Sequence, residues 1–189
     1  IRDDDIDLVK PGHVAESLNR VSGMNIHRGN GQEHLTAIRS PVLTGGAGAG
    51  SFLYLQDGVP LRAAGFGNVN GLFEAHTEQA GSIEVVRGPG SALYGSNAVH
   101  GMINVLSRAP SKAREIDLGL GVGPHGLRSG KVSYGDSLGA HGVRLDLLGT
   151  HDGGYRDNSG FEQSKATFRH DVAVAADSLK TVASAQKLD

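Results

Sequence analysis

The sequence predicts an α+β unit at its N-terminal end followed by a set of antiparallel β-strands. Short helical and strand-like runs are mixed up to about Pro110, and from Ala113 onward apolar residues recur at every second position. Period two marks a strand with two unlike faces, whereas helices repeat near 3.6. Glycine supplies 29 of the 189 residues, without a triplet period. That is far above the usual roughly 7%, and without a collagen repeat it means tight turns and bent strands.

A chain of 189 residues holds one domain, or one domain plus part of another. With no cysteine, there is neither a disulfide framework nor a thiolate metal site. Lys and Arg total 18 against 20 Asp and Glu, a net charge of -2. This balance gives no basic surface for a phosphate backbone, so nucleic acid is not an expected partner. Hydrophobic residues make up 38% of the chain, but no apolar run approaches the ~18 residues of a spanning helix. No basic segment leads into an apolar one near Ile1, so any export signal is expected to be removed or to lie outside these residues. The nine histidines show neither a His-x3-His pair nor carboxylates at ligand spacing, and no metal or cofactor is expected.

Taken in order, the acidic run Asp3, Asp4, Asp5 and Asp7 reads as a solvated arm. Val14, Ala15, Leu18 and Val21 then recur at helical spacing after Pro11-Gly12, with Gly23 as a stop, and predict a helix of two turns at most. Strand-like runs follow at residues 24–28, 35–39, 52–55 and 59–61, the last two joined by Asp57-Gly58, and together they read as one small sheet. The glycine-rich run at residues 45–50 precedes a strand rather than a helix and lacks Lys-Ser/Thr, so it is no phosphate loop. Residues 83–87 predict a strand, Gly88-Pro89-Gly90 a turn, and residues 102–106 a closing strand. Neither Ser91 nor Ser96 stands in Gly-x-Ser-x-Gly, and no base accompanies them, so the expectation is not an enzyme.

In the second half Ile116, Leu118, Leu120 and Val122 share one face, opposite Asp117, Gly119 and Gly121. Val143, Leu145 and Leu147 alternate with Arg144 and Asp146, and Ala166, Phe168, His170, Val172 and Val174 with Lys165, Thr167, Arg169 and Asp171. Weaker runs cover 129–134 and 178–186. Five strands of about eight to eleven residues result, and they fit either a half-buried sheet or a membrane barrel. Periodicity does not choose between these. Charge on the second face of strand after strand, and lengths suited to a tilted bilayer crossing, favour the barrel.

The stretch Ile83-Glu84-Val85-Val86-Arg87-Gly88-Pro89-Gly90-Ser91-Ala92-Leu93-Tyr94-Gly95-Ser96-Asn97-Ala98, followed by Gly101-Met102-Ile103-Asn104-Val105, resembles the plug signature of the TonB-dependent outer-membrane receptors of Gram-negative bacteria. The hairpin with Asp57-Gly58-Val59-Pro60, the helix before Met24, and Ile38-Arg39 resemble the elements that precede it in that family, so the likeness covers roughly residues 10–110. Ser22-Gly23-Met24 replaces the usual Pro-Gly-Val, Ser40 the usual Gly after Arg, and His100-Gly101 a Gly pair. No TonB box is evident.

The resemblance implies an α+β plug domain with a small mixed sheet over residues 1–110, followed over 111–189 by antiparallel transmembrane β-strands of an incomplete β-barrel of about 22 strands. The chain is then expected to be the N-terminal portion of a longer active transporter, with a ferric siderophore as ligand because that class is commonest among relatives. Cobalamin, haem and saccharides stay open. Apical plug loops at 40–51 and 62–71 would meet the ligand through Arg39, Ser51, Arg62, Phe66 and Asn68. Glu84 and Arg87 would hold the plug to the barrel wall. Implied partners are the TonB energising complex, the remaining barrel and outer-membrane lipid. The rival reading is a secreted or surface β-rich binding module with no transport role, in which the apolar strand faces would be buried against a second layer.

Overall fold

Three acids in succession at the start of a segment favour a helix N-terminus, where their charge meets the unpaired amide groups. The computed structural model, which describes residues 1–39, 51–67 and 70–189, accordingly begins with helix α1 (Asp3–Val9). Its first turn is Asp3, Asp4 and Asp5, and the Asp5 carboxylate accepts a hydrogen bond from the Arg2 amide at 3.2 Å. The solvated arm expected here is therefore corrected. Ile6, standing among the acids, is buried in the core and ties the helix down. The chain ahead of α1 is also held: Ile1 and Ile83 exchange backbone hydrogen bonds of 3.0 and 2.9 Å.

The described residues divide into two units, Ile1–Leu106 and Ser107–Asp189. In the first, α2 (Val14–Leu18) supplies Val14, Ala15 and Leu18 to the core. The chain then turns at Gly23, whose φ of 83° lies where only glycine sits without strain. Strands β1 (Met24–Arg28) and β2 (His34–Ile38) form a two-stranded antiparallel sheet, Met24 opposite Ile38.

β3 (Phe52–Gln56) and β4 (Val59–Pro60) belong elsewhere, to a four-stranded sheet of order β4-β3-β6-β5 with β5 (Ala80–Arg87) and β6 (Gly101–Ser107). The single sheet expected from residues 24–61 is thus two sheets. The reason lies in β3, where Phe52, Leu53, Tyr54 and Leu55 are all buried. A strand apolar on both faces needs cover on both, which is the pattern of a central strand with a parallel neighbour. β6 is that neighbour, with Phe52 opposite Gly101 and Tyr54 opposite Ile103. Phe52, Tyr54, Ile103 and Val105 pack with Ile6, Leu18, Ile38, Leu72 and Ile83 in the main core, while Leu53, Leu55, Ala98 and Met102 form a smaller cluster. Between β4 and β5 lie three 3-10 turns, Ala64–Phe66, Gly71–Glu74 and Thr77–Gln79, and the short helix α3 (Ser91–Tyr94) precedes β6.

The second unit is a five-stranded antiparallel meander of order β11-β10-β9-β8-β7: β7 (Glu115–Val122), β8 (Arg128–Leu138), β9 (His141–Asp152), β10 (Phe161–Val174) and β11 (Asp177–Leu188). The last three are longer than expected, reaching 14 residues in β10, because the alternation continues through polar ends such as Thr150, His151 and Asp152. Residues 139–140 and 175–176 make tight turns at one end of the sheet. The wider connections at 123–127 and 153–160 lie at the other. The register carries one outward row across four strands, Val132, Leu147, Ala166 and Ala185.

Candidate functional site

The parallel strands β3 and β6 start at the same end of the four-stranded sheet, and the loops gathered there form the candidate site. Ser51, just ahead of β3, is buried, and its carbonyl accepts from the His100 amide at 2.9 Å. After β4 the Leu61 amide donates to the Tyr54 carbonyl at 3.0 Å, which aims the following loop back toward this head end. That loop exposes Arg62 and leaves Phe66, in a 3-10 turn, 74% accessible. Arg62 is held by Glu74, its Nε donating at 2.9 Å to each carboxylate oxygen and its Nη2 also donating to Oε1. These hydrogen bonds, and then the carboxylate charge, push the guanidinium pKa further up. Arg62 is a fixed cation with part of its fork already occupied. Asn68, and residues 40–50 of the other apical loop with their glycine-rich run, lie outside the described residues.

Between β3 and this loop is a crevice of about 20 Å3, bounded by Tyr54, Leu61, Arg62, Glu74 and Asn97. That is space for about one water, far below the roughly 300 Å3 of a small-molecule pocket. This crevice is therefore too small to enclose a small molecule.

Arg39 and Arg87 meet at one turn. Arg39 closes β2 with φ of 51°, its amide donates to the Gly23 carbonyl at 2.9 Å, and Arg87 Nη1 donates to the Ser22 carbonyl at 2.7 Å. Gly23 makes room for both: a Cβ there would lie 3.3 Å from Arg39 Cγ and 3.9 Å from Arg87 Cδ. A residue assigned to the ligand and one assigned to the barrel wall thus share a turn. Glu84 stands earlier on β5, accepting from Asn104 Nδ2 at 3.1 Å, while Asn104 Oδ1 accepts from the Gly58 amide at 3.0 Å. The Asn104 link crosses the sheet, and no local pattern in the sequence signals it.

A second polar cluster escaped the sequence reading. His13 Nδ1 accepts from the Ala15 amide at 3.0 Å, so a histidine caps α2. The buried ring of His34 lies edge-on to His13, centroids 6.0 Å apart. Burial, then the charge of Arg28 and the neighbouring His34, lower the His13 pKa from 6.5 to about 4, and burial lowers His34 as well. Among the described residues no three His, Asp or Glu side chains gather as a metal site.

The meander has an inverted amphipathic pattern. Ile116, Leu118, Leu120 and Val122 are exposed, Leu120 at 95%, while Ser133, Arg144, Asp146, Gln163, Lys165 and Thr167 are buried. Arg144, 2% exposed, donates in fork fashion to Asp146 at 2.9 and 3.0 Å. A water-soluble sheet buries its apolar face; this sheet exposes it. Among the described residues no helix is long and apolar enough to cross a membrane, which says nothing of strands.

A globular α+β unit ahead of strands that are polar on one face and apolar on the other is the build of a plugged β-barrel receptor. Residues 1–102 match the TonB-dependent Receptor Plug Domain, and the chain belongs to that family. The ferric-catecholate import receptor Fiu of E. coli is similar over 100% of this chain and 26% of its own, at 20% identity and a TM-score of 0.75. The ferric yersiniabactin uptake receptor FyuA of Yersinia pestis matches over 98% and 30%, at 20% identity and a TM-score of 0.75. The pyoverdine outer membrane receptor FpvA of Pseudomonas aeruginosa matches over 92% and 25%, at 16% and 0.70. At these identities the likeness is one of fold. The chain spans 25 to 30% of the length of these receptors.

Proposed function

We propose that this chain is the N-terminal part of an outer-membrane active transporter that imports a ferric siderophore and is driven by the TonB energising complex. The observation that carries the reading is the pairing of a plug domain with strands whose exposed face is apolar and whose buried face is charged. Such strands suit a bilayer outside and a filled or wet interior inside. The soluble-module alternative would need the apolar face covered. The receptors with which the chain shares its fold bind or import ferric catecholate, ferric yersiniabactin and pyoverdine, which supports an iron chelate as ligand.

In mechanism, the ligand rests on the head end of the plug, where Arg62 and Arg39 offer positive charge to an anionic chelate, Phe66 an apolar face, and Ser51 and Asn68 hydrogen-bonding groups. Arg87 and Glu84 keep the plug in contact with the polar wall by hydrogen bonds, which can be exchanged as the plug shifts. The test is uptake of 55Fe-loaded siderophores of catecholate, hydroxamate and mixed type by cells carrying the full-length receptor, with and without the energising complex. Saturable uptake that disappears without the complex supports the proposal. Uptake of cobalamin, haem or a saccharide instead overturns the ligand class, and no transport of any of these overturns the function.

A further inference from the structure

From Ser107, the last residue of β6, residues 108–114 do not reach β7 along the end of the sheet; the chain crosses the polar face of three strands in turn. On β10, Arg169 Nη1 donates to the Ser107 carbonyl at 2.7 Å. On β9, Pro110 lies against Gly142, where a Cβ would stand 2.9 Å from the Pro110 Cβ. On β8, Ser111 lies against Gly135, a Cβ there being 3.3 Å from that of Ser111, and Ser137 Oγ donates to the Ser111 carbonyl at 2.8 Å. Ser111 Oγ then donates to Glu115, the first residue of β7.

These contacts make a built strap, not a loose linker. Two glycines supply notches that any side chain would fill, and the backbone carbonyls of Ser107 and Ser111 are captured. Arg169 is itself held, its Nε and Nη2 donating to Asp171 at 2.8 and 2.7 Å. A guanidinium fixed by a bidentate carboxylate keeps its third nitrogen aimed in one direction, which a lysine cannot do.

We propose that Arg169 is a positioning residue and that the strap is a permanent anchor. It keeps the point where the chain leaves β6 fixed on the barrel wall throughout transport, so that rearrangement of the plug is confined to residues upstream. This rests on the transport reading above. A plug tethered at a mobile point would wander with each cycle; one anchored across three strands must return to the same register.

Residues 1–189 contain no cysteine, so with any cysteine elsewhere in the full-length receptor replaced by serine, a single cross-link can be introduced cleanly. Ser111→Cys with Gly135→Cys places two thiols on Cβ atoms 3.3 Å apart, a few tenths of an ångström short of the 3.5–4.5 Å of a disulfide. In the full-length receptor, oxidation should lock the strap and leave 55Fe-siderophore uptake within about twofold of the reduced form. Uptake that falls tenfold on oxidation and recovers on reduction would show that the strap must detach, and would overturn the proposal. Hydrogen exchange of the detergent-solubilised receptor gives a readout independent of transport. The amides of residues 107–109 and 111 should be protected, should exchange at least tenfold faster in Arg169→Ala, and should not regain protection in Arg169→Lys. Unchanged exchange in Arg169→Ala removes Arg169 from its role. If the unaltered receptor takes up no iron chelate yet shows a protected, Arg169-dependent strap, the functional reading fails and the anchor stands.

Discussion

Single residues fix this fold where two elements come closest. A Cβ on Gly101 would lie 2.7 Å from Ile38 Cδ1 and 2.8 Å from the Val86 carbonyl. The first contact can yield, since it is the end of a side chain, but the second is backbone of the adjacent strand. Gly101→Ala should therefore destabilise the plug by about 1–3 kcal/mol, measured as a lower denaturation midpoint of its unfolding step, with β5 and β6 parting first. At the head end, Arg62→Ala should weaken binding of an anionic chelate about tenfold, while Glu74→Gln, which releases the fork, should strengthen it; equal affinities in titration calorimetry would remove Arg62 from the site. The His13–His34 pair sets a pH dependence of known sign. The folded pKa of His13 is about 4 against an ordinary 6.5, so the unfolded chain binds the proton more readily. The stability contribution is whole above about pH 6.5, falls as pH drops, and is gone by about 4, a loss of about 3 kcal/mol. Chemical denaturation at several pH values should show this slope, reduced in His13→Asn, which retains a capping acceptor. Little of this was legible in the sequence. Histidine is an uncommon helix cap, and the neighbours that act on its titration, Arg28, Gln32 and His34, come from a later hairpin.

Elements were legible in proportion to how local their causes are. The hairpin β3–β4 announces itself through Asp57-Gly58, and indeed Asp57 and Gly58 both have positive φ, 51° and 81°. The alternating strands are equally plain, since period two is a property of each strand alone. By contrast, the helix α1 was hidden because a run of acids reads as solvated unless a partner is known for the one apolar residue within it. Ile6 finds that partner in a core assembled from β1, β2, β3, β5 and β6. The parallel pairing of β3 with β6 was hidden for the same reason, as it joins residues far apart in the chain. The faces of β9 make a sharper test. Leu147 lies mid-strand on the exposed row with Val132 and Ala166. Leu147→Arg in the full-length receptor should cost about 2–4 kcal/mol in lipid, because a charge would then face hydrocarbon. Arginine tolerated at this position, with unchanged urea stability in vesicles, would mean that the row faces water.

At the scale of the whole molecule, closure decides what this stretch of chain can do alone. Its sheet has two edges, β7 and β11, each presenting backbone groups with no strand beyond it among the described residues. In water such an edge is solvated, but in hydrocarbon each unpaired amide or carbonyl costs several kcal/mol, which only closure removes. Five strands are too few, since the smallest bacterial barrels have about eight. The exposed row of β7, with Leu118 and Leu120, also lacks any apolar cover. It follows that the inverted sheet is stable only as part of a larger wall, in keeping with solved relatives three to four times as long. Residues 1–189 refolded alone into vesicles should give no conductance above that of bare lipid and should associate through their edges. The full-length receptor should give protease-protected strands, and should conduct once residues 1–106 are deleted. Stable conductance from residues 1–189 would mean that several copies had closed a barrel between them, and the requirement for the rest of one chain would be wrong.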